Sequence, residues 1–292
     1  MEQSENYVYE PFAETEEYRE VNERSVRLWI DTMIQNGTTG IQRLVDLASG
    51  VGTMVQIFLD NIPAGWKQPE VVCVDKSSEA LEQTRQRLES RVENLRLVNC
   101  RVEELELEEG QADVAMWGNG IHYLDEESQQ KAILNLRRIL KPGGWFLFNS
   151  AFCAESRPEE TLPFYKAQIA NAVRQLRSLG ADRDKSMPKP DAASFLDKTY
   201  YQNMLQQAGF RVQEMKDLAA RLYKTAWEHI SGFSQYAAGA LHGYRADIAA
   251  KALREAVGPS LEEHGQRDEQ NRLYIQRNWV ATIAQLGEPR KA

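Results

Sequence analysis

The stretch VDLASGVGTMV, residues 45–55, sets an acid and two closely spaced glycines between an apolar run and the start of a new helix. Leu44 to Ala48 reads as a strand and Thr53 to Leu59 as a helix opening, so Ser49 to Gly52 must turn the chain sharply between them. Glycine there allows a positive φ and lets a ligand come up to the backbone. The turn makes a concavity beside a helix N-terminus, where amides point at an anionic or polar group.

Working outward, short apolar runs alternate with helical patterns. Strands are expected at 43–48, 70–75, 94–99, 112–117 and 145–150, with helices near 53–60, 77–91 and 126–140. A βαβ series of this kind implies a mostly parallel sheet covered on both faces, an α/β Rossmann-like doubly wound body. LKPGGW (140–145) ends the third helix: Lys141 suits the negative end of the dipole, and Pro142 with two glycines stops the helix before the fifth strand. Further on, 199–208 reads as a helix ending at Gly209, 210–217 as a strand, and 272–284 as a strand rich in aromatic and β-branched residues.

Residues 1–40 read as an N-terminal helical cap with Tyr18, Val21, Val26, Leu28, Trp29, Ile30 and Met33 as apolar members. The core is expected over 41–151 and continues at 198–218; the final strand and tail take 265–292. Two insertions interrupt the rhythm. Residues 152–197 hold an amphipathic helix (Leu162, Tyr165, Ile169, Val173, Leu176) and the polar loop GADRDKSMPKP, and 219–264 are dense in aromatic and small residues. Insertions after the fifth and sixth strands fall where an open α/β sheet binds its ligands, so both are assigned to an acceptor lid. The plainer alternative is that they pad the core.

The 292 residues carry 35 Lys and Arg against 43 Asp and Glu, a net charge of -8, and leave no basic footprint for nucleic acid. Cys73, Cys100 and Cys153 have neither metal-type spacing nor an even count, which fits a reducing cytosol. The N-terminus is acidic and lacks an apolar core, and nowhere do about 18 apolar residues run together. A cytoplasmic protein without a membrane span is therefore expected. No metal-ligand cluster, nucleophile elbow or phosphate-binding lysine loop is present in the pattern.

Twenty-three residues past Gly52, Asp75 ends the second strand, and Ser77 or Ser78 can cap the helix that follows. A carboxylate at that point can accept from both hydroxyls of a ribose. A dinucleotide site wants a third glycine three residues past Gly52, where this chain has Val55, and the charge of Asp46 would oppose a phosphate. S-adenosylmethionine carries an amino acid tail and no phosphate, so an acid near its ammonium is favourable.

In this order and spacing, VDLASGVG, VVCVDKSSEAL, ADVAMWGNGIHYL and LRRILKPGGWFLF resemble the motifs of class I S-adenosylmethionine-dependent methyltransferases, especially those acting on quinones and other small molecules. The likeness covers 40–150, and more loosely 195–218. It implies a seven-stranded sheet whose last strand runs antiparallel, and a small-molecule acceptor. By that likeness Asp46, Ala48, Gly50 and Gly52 hold the methionine part, Asp75 the ribose, Lys76 flanks the adenine, and Asn119 approaches the methionine end. Two positions depart from the family. Ala48 replaces its usual first glycine, a change expected to be tolerated on a β-region backbone. Arg101 stands where an acid commonly takes the adenine amino hydrogen, and arginine has no acceptor. Either Glu103 replaces that acid, or backbone around Val102 holds the adenine. Plainer readings make Asp46 a structural acid of the turn, Asp75 a helix cap, Asp113 a structural residue and Glu103 a solvated loop acid.

Methyl transfer from a sulfonium is an in-line displacement, and the leaving thioether, S-adenosylhomocysteine, needs no proton. Positioning alone can lower such a barrier by roughly 7–11 kcal/mol. A base matters only where the acceptor must lose a proton. His122, at the C-terminal end of the fourth strand, is the first choice, with a packed orienting group as the alternative. His229 and His242 fall in the aromatic lid, and His264 reads as solvated. Tyr9, Tyr18, Tyr123, Trp227, His229, Phe233 and Tyr236 are candidates for the acceptor pocket, where aromatic faces attract a sulfonium or a cationic acceptor. Their ordinary reading is hydrophobic packing. A non-catalytic S-adenosylmethionine binder and a non-methylating rearrangement enzyme are the alternatives.

Overall fold

The computed structural model describes residues 9–187 and 194–287. The first eight residues of the expected cap, the end of the GADRDKSMPKP loop and the last five residues of the tail lie outside them. Eight strands are present among the described residues: β1 Arg43–Leu47, β2 Glu70–Asp75, β3 Leu95–Asn99, β4 Ala112–Gly118, β5 Leu140–Ser150, β6 Phe210–Tyr223, β7 Gln266–Arg267 and β8 Leu273–Leu286. They form one sheet in the order β3-β2-β1-β4-β5-β8-β6, with the two-residue β7 paired to β8. The pairings from β3 through β5 are parallel, and β8 runs antiparallel to β5. This is the mostly parallel, doubly wound sheet that the sequence pattern predicts; the family resemblance implies its antiparallel last strand and seven strands, to which the short β7 adds an eighth.

The chain divides into two compact units. A sheet unit comprises residues 21–153, 196–218 and 279–287; a helical unit comprises 9–20, 154–187, 194–195 and 219–278. The leading segment is therefore not one cap, since its first described residues group with the helical unit and the rest with the sheet. It is also broken, into α1 Glu10–Ala13 and α2 Glu16–Gln35. Thr15 makes the break: its hydroxyl donates to the Phe12 carbonyl at 2.8 Å and accepts from the Tyr18 amide at 3.4 Å.

In the sheet unit alternate strand residues serve opposite faces, because successive side chains of a strand point to opposite sides. Leu44, Val71, Val114, Leu147 and Ile283 join Val26, Trp29 and Met33 of α2 and Val55 and Phe58 of α3 (Thr53–Asn61) in one core. Their neighbours Val45, Val72, Ala115, Phe146 and Ala284 form the other core. It is covered by Ile133 and Leu136 of α5 (Glu126–Ile139) and by Tyr201 and Leu205 of α7 (Lys198–Gln207). Both faces are covered by helices, as parallel strands require.

Two strands differ from expectation. α5 ends at Ile139 before LKPGG, but β5 begins at once rather than at Trp145: Leu140 pairs with Ala112, and the ladder regains register at Val114 and Trp145 after an irregularity. Lys141 is drawn away from the helix end, its Nζ lying 2.6 Å from Asp113 Oδ1. β6 continues to Tyr223, past the expected end at 217, because Leu218, Ala220 and Leu222 keep up the alternation of buried and exposed residues.

The helical unit contains α6 Leu162–Ser178, α8 Lys224–Ser231, α9 Ser234–Ala240, α10 Ala246–Glu255 and α11 Val257–His264. α10 packs against α6, α8 and α9, α11 against α6 and α8, and α1 against α8. Among the described residues no helix is long and apolar enough to cross a membrane.

Candidate active site

The turn after β1 is built from left-handed backbone. Gly50 and Gly52 have φ of 55° and 79°, as the reading of the glycine pair requires, and Ala48 has φ of 48°. The expectation of a β-region Ala48 is thus corrected: the chain must already curl at this position, and the alanine sits where its Cβ is disfavoured. Gly52 also permits close packing, because a Cβ on it would meet Thr84 Cγ2 at 3.1 Å and Leu88 Cδ1 at 3.2 Å, both on α4 (Ser78–Leu88). Gly52 thus makes room for α4, and Val55 enters the core.

Asp75 closes the turn from β2. Its Oδ2 accepts from the Gly50 amide at 2.8 Å, and its Oδ1 accepts from the Ser77 amide at 2.9 Å. Burial raises its carboxyl above the ordinary value, against the lowering effect of those two amides and Lys76. Each oxygen still keeps a lone pair for a further donor. The Ser77 hydroxyl caps α4, accepting from Ala80 at 3.1 Å. Lys76 is exposed at the end of β2.

Asp46, one strand over, is 1% exposed, and neither of its carboxylate oxygens has a hydrogen-bond partner among the described residues. The Thr53 hydroxyl, at the start of α3, is likewise buried and unpartnered among them. Burial, and then the charge of Asp75, push the Asp46 carboxyl well above its usual range. A structural acid of the turn would accept turn amides. Asp75 does that instead, leaving Asp46 with its full accepting capacity.

At the end of β4, Asn119 adopts φ of 49°. Its amide donates to Asn149, at 3.0 Å from Oδ1, and its side-chain oxygen accepts from the Ala151 amide at 2.9 Å. Asn149 in turn donates to Asn22 Oδ1 (2.8 Å) and Ser25 Oγ (3.0 Å) on α2. Sequence reading missed this buried amide network, whose one signal is two asparagines at the ends of adjacent apolar strands. His122, in a 3₁₀ turn at Ile121–Tyr123, is 4% exposed and stacks on Phe152 at 4.0 Å, with Tyr123 at 4.2 Å. Its Nδ1 lies 3.0 Å from Ser150 Oγ, which also accepts from the Phe152 amide.

After β3, Val102 is buried in the core and Glu103 forms an ion pair with Arg101. Glu103 is therefore not the solvated loop acid of the plainer reading; only 11% of its side chain is exposed. α5 pins this loop, with Asn135 donating to the Glu103 carbonyl at 3.0 Å and Arg138 to the Leu105 carbonyl at 2.9 Å. Asp113 is structural as expected, accepting from the Gln42 and Arg43 amides at 2.8 and 2.9 Å.

The aromatic candidates fall into separate groups. In the helical unit Tyr9, Tyr18 and Phe233 share one cluster with Phe12, at ring separations of 5.1–5.9 Å. Trp227 is fully buried against Phe164 (5.0 Å) and Tyr165 (5.6 Å). Tyr236 is buried and hydrogen-bonded to Arg277. His229 is half-buried on α8, the His242 ring lies 2.6 Å from the Met187 carbonyl, and His264 lies 3.4 Å from Glu263. Tyr123 belongs to the sheet unit, beside His122.

Residues 44–144 match the family model described as a methyltransferase domain. Demethylmenaquinone methyltransferase of Leptospira interrogans is 31% identical over 127 residues, 41% of this chain and 49% of that protein. The chain thus spans about half the length of the curated relatives it matches. Among solved structures, a methyltransferase candidate from Bacillus halodurans is similar at a TM-score of 0.55 with 13% identity, covering 88% of this chain and 98% of that one. The [4+2]-cyclase SpnF is similar at 0.53 with 14% identity, covering 91% and 82%. At such identities these structures speak for the fold alone. Residues 44–144, which carry the turn after β1 and the strands β2 to β4, thus match a methyltransferase domain, and the sheet built around them has the fold of those solved structures.

Proposed function

We propose that this chain transfers a methyl group from S-adenosylmethionine to a small, partly apolar acceptor, releasing S-adenosylhomocysteine. One observation carries the reading: a buried carboxylate, Asp46, with no donor among the described residues, next to a turn that presents backbone at positive φ. Such a group is costly unless a ligand supplies donors, and an ammonium does so with charge complementarity. The relative named for demethylmenaquinone supports an apolar acceptor.

Asp46 would hold the amino group of the methionine part, over the turn Ala48–Gly50–Gly52, and Asp75 would offer its second lone pairs to the ribose hydroxyls. Lys76 would flank the adenine. With the Glu103 carboxylate engaged by Arg101, the backbone at Val102 is the better reader of the adenine amino edge. Asn119, held by Ala151 and Asn149, would line the methionine end. When bound, the cofactor supplies an electrophilic methyl group, so this chain's residues have to align an acceptor and exclude water. His122 would take the acceptor's proton where one must leave. With Nδ1–H given to Ser150 Oγ, Nε2 becomes the basic nitrogen. The helical unit, with Tyr9, Tyr18, Trp227, His229, Phe233 and Tyr236, would recognise the acceptor. A cytosolic location is part of this reading.

Calorimetry with S-adenosylhomocysteine, followed by incubation with methyl-labelled cofactor and a metabolite extract, tests the reading. Heat and a labelled small product are expected. No heat overturns the cofactor assignment, and heat without product overturns the transfer. His122→Ala should keep cofactor affinity and cut turnover by about 10²–10⁴-fold for an acceptor that must be deprotonated. Unchanged turnover would make His122 a packing residue.

A further inference from the structure

Two arginines of the helical unit approach the same aromatic ring. Arg157 follows a 3₁₀ turn at Ala154–Ser156, and Arg277 lies on β8. Each guanidinium carbon is 5.7 Å from the centroid of Tyr165. Arg277 is 3% exposed; it donates to the Tyr165 hydroxyl at 3.1 Å and is hydrogen-bonded to Tyr236. Arg157 lies 3.7 Å over the ring of Phe195. Its Nε is buried without a hydrogen-bond partner among the described residues.

Arg277 is buried and Arg157 half-buried, so the two guanidinium groups share a site partly withdrawn from water. Buried cations are ordinarily paired, and like charges near one another raise the cost. Burial, and then the charge of Arg277, hold the Arg157 guanidinium below its ordinary value. Burial pushes the Tyr236 phenol up to about 12, so it is neutral and offers a dipole rather than a counter-charge. Phe195 adds a second sign of constraint, because its φ of 47° is strained for a bulky side chain and persists only where its surroundings hold it. A planar guanidinium fork matches the two oxygens of a carboxylate or phosphate, and the flanking rings suit a flat apolar body.

We propose that Arg157 and Arg277, with the hydroxyls of Tyr165 and Tyr236, bind the carboxylate or phosphate group of a small organic anion with an apolar or aromatic body. Identifying that anion with the methyl acceptor rests on the function proposed above. The site itself stands on residues of the helical unit alone.

The test uses the full chain, with sodium benzoate, phenyl phosphate, neutral benzamide and sodium chloride compared at equal ionic strength by thermal melting and calorimetry. At least one of the two anions should raise the Tm above the chloride value and bind at least tenfold tighter than benzamide. Which one does so distinguishes a carboxylate ligand from a phosphate ligand. Arg157→Gln should abolish the increment. Where that variant does not fold, Arg157→Lys, which keeps the charge and loses the fork, should weaken binding at least tenfold. No response to either anion, or a response that survives the substitution, overturns the proposal. S-adenosylhomocysteine calorimetry on the same protein separates the two readings. Heat from it without an anion response removes this site alone, and an anion response without that heat removes the cofactor assignment alone.

Discussion

In the sheet unit, acids and an amide at strand ends answer to backbone: Asp75 takes the Gly50 and Ser77 amides, Asn119 takes Ala151, and Asp113 takes Gln42 and Arg43. In the helical unit, Arg157, Arg277, Tyr165 and Tyr236 answer to one another and to rings. The difference follows from what the two architectures leave unsatisfied. Parallel strands end in turns whose amides have lost their ladder partners, so an acid at a strand end finds donors within a few residues. Packed short helices satisfy their own backbones, and their polar side chains have to be matched across elements distant in sequence.

The largest effect expected is that of Asp75→Ala. It strips the acceptor from two amides, and hydrogen bonds to a charged group contribute about 1.5–3 kcal/mol each. A loss of about 3–6 kcal/mol in urea unfolding, together with lost cofactor affinity, would mark Asp75 as a brace of the turn as well as a ribose ligand. Wild-type stability with lost affinity would reduce it to the latter. In the helical unit, where packing carries the load, Trp227→Ala should cost about 3–5 kcal/mol by leaving a cavity beside Phe164 and Tyr165. If the units melt separately, the two variants should move different transitions. One shared transition moved by both would erase the energetic distinction between them.

Asp46→Asn separates the two acids of the turn through pH. The folded-state carboxyl of Asp46 is raised, so the native protein holds that proton more tightly than the unfolded chain does. The contribution is full below the ordinary aspartate value of about 4 and declines as pH rises towards the folded value. Relative to Asp46→Asn, the wild type should therefore lose stability as pH increases from about 4 in urea titrations, and saturating S-adenosylhomocysteine should flatten the trend. A pH-independent difference would mean that a cationic or donor group already serves Asp46. The smallest effect is expected from Ala48→Gly, which relieves the left-handed strain at φ of 48° and should stabilise by about 1 kcal/mol or less. A loss of stability would mean that the alanine methyl contributes more than its backbone costs.

Much of the sheet unit is legible in the sequence. Residues 70–75 form a strand over those very positions, Ser77 caps the next helix, and the left-handed glycines stand where the turn demands them. Each of these rests on local chemistry: alternation, a cap, a glycine at positive φ. The misreadings have non-local causes. LKPGG was expected to end a helix and then wait, but Leu140 found Ala112 to pair with. Ala48 was expected in extended backbone, and the course of the turn curls it. Asn149 looked like the end of an apolar strand, and its partners Asn22 and Ser25 lie more than a hundred residues away.

The sequence by itself determined the α/β alternation, the glycine turn between β1 and α3, and the presence of an acid on each side of it, because periodicity and backbone freedom act within a few residues. Only the tertiary structure decided which of the two acids is consumed by the backbone and which stays unpartnered, since that depends on where β2 delivers Asp75 against a turn twenty-five residues earlier. It also decided that two arginines 120 residues apart share one tyrosine ring. No local pattern encodes such a meeting, because it is produced by the packing of elements that are strangers in sequence.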